Sequence, residues 1–171
     1  MRTKTIVAVF IILFVAGTVF AGGDVKKAEK RAFNYVAYFL GSPDPGTITF
    51  SGKVVHVRGA QNTWFHDASD ERIRGTVTNV LNSNLDSTGS GVVWGTWQSG
   101  DANAGWEGTW NGQQYNSSVG EMNWIIKFAG HGTGTFEGLM IDGMEAWDLI
   151  PPTDRPLVGY GVGEITNVNK D

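Results

Sequence analysis

From about residue 32 onward, apolar and polar residues alternate with a period of two in short runs, and glycine, proline, asparagine and aspartate fill the gaps between them. The cleanest run is Val119 to Phe128, where Met122, Trp124, Ile126 and Phe128 fall on one side and Glu121, Asn123 and Lys127 on the other. It predicts a strand with one dry face. Arg72 to Asn82 predicts a second, with Ile73, Gly75, Val77, Asn79 and Leu81 alternating against Arg72, Arg74, Thr76 and Thr78. Thr47 to Arg58 reads as extended with a bulge or bend at Gly52, Asn62 to His66 as a short strand, and Thr135 to Ile141 as a further one. Ala32 to Leu40 fits helix or strand, its aromatics favouring strand. Turns are expected at Gly41–Gly46, Asp67–Glu71, Gly112–Ser118 and Gly130–Gly134, with a polar loop from Asn82 to Gly91.

The centre of the pattern is Val92 to Asn111, in which Gly-Thr-Trp occurs twice around a glycine-rich break. It predicts a hairpin with Trp97 opposite Trp106, Gly95 opposite Gly108 and Val93 opposite Trp110. One face is then tryptophan and glycine, and the other carries Trp94, Thr96, Glu107 and Thr109. A slip of one residue would exchange an apolar set for a mostly polar one, so the faces are well specified.

Short strands at regular spacing, with no long helical period beyond residue 21, predict an all-β fold of about eight strands, closed as an antiparallel barrel in preference to a sandwich. Closure removes exposed edges from a glycine-rich sheet. The barrel is expected over residues 32–150, preceded by a charged linker at 22–31. Pro151-Pro152 closes it, and 151–171 is read as a tail in which Leu157 to Ile165 adds a weak edge strand.

Met1 to Ala21 has the three parts of a secretory signal peptide: Arg2 and Lys4, an apolar run from Ile6 to Phe20, and Val19-Phe20-Ala21 before Gly22-Gly23. A signal helix cut after Ala21 is expected. The competing reading, an uncleaved anchor, is disfavoured because the run is shorter than the roughly 20 residues a spanning helix needs. The reading implies a secreted or periplasmic protein with no stable membrane span after processing. Losing Arg2 and Lys4 takes the formal charge from −4 to −6. That balance, without clustered Lys and Arg, argues against a nucleic-acid partner. With no cysteine in the 171 residues there is no disulfide, thiolate metal site or cysteine nucleophile.

The run Gly130-His131-Gly132-Thr133-Gly134-Thr135-Phe136-Glu137-Gly138 resembles the strand-turn-strand signature of the allene oxide cyclase and dirigent-type barrel proteins and their bacterial relatives. The likeness is clearest from Val119 to Ile141. It implies an eight-stranded antiparallel barrel whose lumen takes a small apolar molecule, and self-association into homo-oligomers. It also implies that Gly132 and Gly134 relax the backbone of a turn while Phe136 packs inward. The acidic residues that the plant members use match no position here, so no catalytic residue carries over.

His56, His66 and His131 are far apart and lack close metal-ligand spacing, so no metal is expected. No nucleotide or phosphate fingerprint is present, and no cofactor is expected. Glu107, Glu121 and Glu137 fall on strands that are candidates for neighbours, but Glu121 shares the wet face of its strand with Lys127, and solvated surface is the better reading of the three. The leading functional expectation is a barrel that binds a small apolar ligand against Trp97, Trp106, Trp110 and Trp124, with His56 and Arg58 polar at one end of the lumen. Two alternatives stay open. One is a cyclase or isomerase acting by confinement, and the other is a carbohydrate-binding or envelope module that stacks Trp64 and Trp94 on sugars.

Overall fold

The computed structural model describes residues 29–116, 122–149 and 158–168, and all of its regular structure there is β. The signal segment and its cleavage point, Glu121 and Pro151-Pro152 lie outside the described residues. The strands are β1 (Lys30–Asp44), β2 (Thr47–Ser51), β3 (Val54–Ala68), β4 (Gly75–Leu85), β5 (Gly91–Gly100), β6 (Ala104–Asn116), β7 (Met122–Gly134), β8 (Leu139–Leu149) and β9 (Val158–Asn167). They pair in the order β1-β9-β8-β7-β6-β5-β4-β3-β2, and a further β1–β3 pairing closes eight of them into an antiparallel barrel. The ninth, β2, pairs with the first five residues of β3 and lies beside the cylinder. The predicted eight-stranded barrel is therefore present, with one extra strand.

Alternation places the side chains. Phe33, Tyr35 and Ala37 of β1, Trp64 and Ala68 of β3, Trp106 of β6, Ile141 and Trp147 of β8 and Ile165 of β9 form one buried cluster. Val93, Trp110 and Ile126 form a second toward the other end. At the first end, the turn after β3 folds Ile73 inward. It is tied by Trp106 Nε1 donating to the Arg72 carbonyl at 2.7 Å, and by Asp70, whose carboxylate accepts from the Arg72 backbone and guanidinium. At the second end Gln114 Nε2 donates to the Gly89 carbonyl at 2.7 Å.

Several of the rings fit inside so narrow a cylinder because they face a glycine. Trp97 stands opposite Gly108, Trp110 opposite Gly95, Tyr35 opposite Gly161 and Phe33 opposite Gly163. A Cβ on Gly163 would come within 2.6 Å of the Phe33 ring, and one on Gly130 within 2.7 Å of Trp97. Much of the glycine in this chain thus serves as space for rings in strand interiors.

The hairpin register differs from the expected one. Trp106 pairs with Ser99, and Trp97 with Gly108, an offset of two residues from the prediction. This register sets Trp97 opposite Gly108 and Trp110 opposite Gly95 in place of an indole pair. Because the offset is even, every residue keeps its predicted face.

Other boundaries moved for related reasons. Gly52, at φ 59°, sits in the β2–β3 turn, and the bulge lies instead at Gly59, φ 72°, where the β3–β4 register shifts. Gly112 lies within β6, and Gly130–Gly134 finishes β7, the turn falling at residues 135–138. Phe136 packs against Trp106 at 5.4 Å, as the resemblance implied. Lys30 and Arg31, read as linker, begin β1, and the segment read as a weak edge strand is β9, held between β1 and β8.

Candidate functional site

Inward side chains of seven strands meet around a cavity of about 50 Å³. Its wall is mostly aromatic, and many of the rings lie in contact. Phe39 and Trp64 lie 4.7 Å apart, Trp64 and Trp147 4.1 Å, Tyr35 and Phe128 6.2 Å, and Trp97 and Phe128 6.1 Å edge-on. Trp110 stacks on Trp124 at 6.3 Å. All four tryptophans expected in the lumen line this cavity.

Set into this wall is a polar group that the pattern of the sequence does not single out. Glu145, on β8, is 7% exposed, and its Oε2 accepts the Tyr35 hydroxyl at 2.7 Å. His66 stacks on the other side of Tyr35, with ring centres 4.3 Å apart and planes 15° from parallel. Burial pushes the Glu145 carboxyl up to about 7, only partly opposed by the Tyr35 hydroxyl and the nearby Trp147 indole. Burial likewise lowers His66 to about 4, so it stays neutral through the physiological range. Burial, with the Glu145 charge beside it, raises the Tyr35 phenol well above its ordinary value.

Among the described residues, five buried polar atoms have no hydrogen-bond partner: the indole nitrogens of Trp64, Trp97 and Trp124, Asn79 Oδ1 and Glu145 Oε1. The residues carrying them all line the cavity. The Trp147 indole approaches the carboxylate without satisfying Oε1. Buried donors and acceptors without partners are uncommon in folded proteins, and their convergence on one space calls for a reason.

His56 and Arg58 do not join the site. They precede the Gly59 bulge, which reverses the face presented by β3, so Ala60 and Trp64 point in while His56 and Arg58 point out. Arg58 donates to the Val57 and Ser83 carbonyls and to Asn84 Oδ1, and its guanidinium lies 5.0 Å over the Trp94 ring. His56 Nδ1 meets the same Asn84 Oδ1 at 2.7 Å. Trp64 is 8% exposed and cannot stack on a surface sugar, which leaves Trp94 alone, under Arg58.

Of the three glutamates weighed from sequence, Glu107 is on the outer wall, paired with His131 at 3.0 Å and about half exposed. Glu137 is exposed in the turn after β7, and Glu121 lies outside the described residues. Glu145 escapes notice in the sequence because both faces of β8 are mixed. Ile141, Gly143, Glu145 and Trp147 face one way, Met140, Asp142, Met144 and Ala146 the other, and neither set announces itself as dry.

A larger groove, about 500 Å³, runs over the outer wall of β4 to β7 past Thr78, Thr96, Gln98, Thr109, Glu107 and His131. Volume favours it, but its polar groups face solvent. The lumen is the stronger candidate because it alone combines apolar walls with unmet hydrogen bonds.

The molecule thus belongs, by architecture, to the closed antiparallel barrels with an aromatic lumen, and it buries one carboxyl there. Comparison of the chain with protein-family models, with curated proteins and with solved structures finds no match.

Proposed function

We propose that this is an exported small-molecule-binding barrel of the allene oxide cyclase and dirigent type, with its ligand site in the lumen. The observation that carries the reading is the set of five unpartnered polar atoms on residues lining one aromatic cavity. An enclosed apolar space gains nothing by keeping such groups unsatisfied, since each costs on the order of 1–3 kcal/mol. A ligand that meets them recovers that energy.

The cavity's size narrows the ligand. At about 50 Å³ it is well below the roughly 300–1,000 Å³ of drug-sized sites and below the ~150 Å³ apolar cavity that admits benzene. The ligand is accordingly a molecule of few heavy atoms, apolar over most of its surface but with hydrogen-bonding groups. Native mass spectrometry of the purified protein tests this through a co-purified low-mass species, and tryptophan emission on titration with small amphipathic molecules reports directly on Trp97 and Trp124. An empty protein whose emission stays fixed throughout overturns the reading.

One observation favours a second reading, proton-transfer isomerisation. A carboxyl titrating near 7 inside a largely dry site is suited to taking and returning a proton. In that reading Glu145 is the acid-base group, and Glu145→Gln abolishes turnover of a substrate that still binds.

A further inference from the structure

Among the described residues, the titratable side chains facing the lumen are Tyr35 from β1, His66 from β3 and Glu145 from β8. The strands that flank β8 bring no charge inward. β7 contributes Trp124, Ile126 and Phe128, and β9 presents Gly161 opposite Glu145, while Lys127 lies exposed on the outer wall. Lysine and arginine are missing from the described lining. The lumen therefore has one group able to hold a full charge near neutral pH, and that charge is negative.

Glu145 Oε2 is occupied by the Tyr35 hydroxyl, whereas Oε1 accepts no hydrogen bond. A buried carboxylate is costly until a cation or a donor reaches it. The surrounding wall supplies the other half of a cation site, because the faces of indole, phenol and phenyl rings carry the negative end of a quadrupole. An anionic ligand would meet Glu145 with no cation to offset it, and a quaternary ammonium lacks the N–H that Oε1 can accept.

We infer that the lumen's ligand is a small protonated amine whose ammonium donates to Glu145 Oε1 and rests against the aromatic wall. The inference builds on the lumen being the binding site, as proposed above. The cavity of about 50 Å³ limits the molecule to a few heavy atoms. Trp64, Trp97 and Trp124 each hold an unpartnered indole N–H, so an oxygen on the same molecule finds donors ready to meet it. Short amino alcohols and amino carbonyl compounds match both requirements.

Calorimetric titration of the full chain with ethylammonium chloride and with ethanol, its uncharged counterpart of equal heavy-atom count, tests the inference, with sodium chloride held constant and tryptophan emission followed in parallel. At pH 8 ethylammonium binds at least about tenfold more tightly than ethanol, as expected for a charge-assisted hydrogen bond. Its affinity falls about tenfold for each pH unit below 7, as the carboxyl takes up the proton that the ammonium must displace. Glu145→Gln removes most of the preference for ethylammonium over ethanol and its dependence on pH.

Equal binding of the two probes, without pH dependence and indifferent to Glu145→Gln, overturns the amine assignment while keeping the lumen as a site. Failure of both probes to bind or to move tryptophan emission overturns the assignment and the lumen reading together. Should Glu145→Gln fold poorly, the pH dependence of ethylammonium binding to the unaltered protein decides.

Discussion

Replacing Glu145 by glutamine preserves the shape of the side chain and an oxygen for the Tyr35 hydroxyl, and removes the one carboxyl that the described residues bring to the lumen wall. Folding moves that carboxyl from 4.5 to about 7, which links it to about 3 kcal/mol of stability. The folded state binds the proton more tightly than the unfolded state does. The stabilisation it brings is therefore complete below pH 4.5 and lost as pH rises through 7. His66 works in the opposite sense: held neutral down to about 4 against an ordinary 6.5, it costs stability as pH falls from 6.5 to 4. The two slopes oppose each other between pH 4.5 and 6.5 in the native protein, and Glu145→Gln leaves only the histidine slope. Urea unfolding from pH 4.5 to 8.5, extrapolated to water, measures both proteins. Every other titrating group is shared, so the difference curve isolates Glu145. The variant is expected to gain about 3 kcal/mol on the native protein across that range. A difference that stays flat would show that the carboxyl is already solvated or paired, and would refute a dry lumen with an unmet carboxylate oxygen.

Further outcomes are expected. Gly161→Ala places a methyl group against the Tyr35 ring and should cost about 1–3 kcal/mol in denaturant unfolding, while moving the phenol from Glu145 and altering the same pH curve. Asp70→Asn weakens the tie that holds the Ile73 turn, where the carboxylate meets Arg72 at 2.7 Å and Arg31 at 3.1 Å, and should cost about 2 kcal/mol at pH 7. The Arg72 hydrogen bond in particular holds that carboxyl below its ordinary 3.8, so its contribution is present above that pH and fades as the pH falls further. His131→Ala, which removes an exposed pair with Glu107, should change stability by less than about 0.5 kcal/mol.

Much of the barrel is legible in the sequence because alternation is a local property. Trp124, Ile126 and Phe128 declare their face by spacing, and so do Val77, Asn79 and Leu81; Gly-Thr-Trp repeated around a break declares a hairpin. The four lumen tryptophans follow from that alone, and the even register offset leaves their faces intact. The Gly59 bulge is different. A single extra residue reverses a face, and nothing in Arg58-Gly59-Ala60 distinguishes a bulge from an uninterrupted strand, so spacing alone puts His56 and Arg58 on the wrong side of the wall.

By itself the sequence determined most of the strands, the dry faces of β4 to β7 and a wall built of indole, since each depends on residues two apart along one strand. Tertiary structure decided what stands across the lumen. Tyr35 and Glu145 are 110 residues apart and meet at 2.7 Å, because β9 inserts between β1 and β8 and its Gly161 leaves room for the ring. Whether a glutamate is solvated or sealed against aromatic rings depends on closure of the whole cylinder, and spacing along one strand carries no information about that.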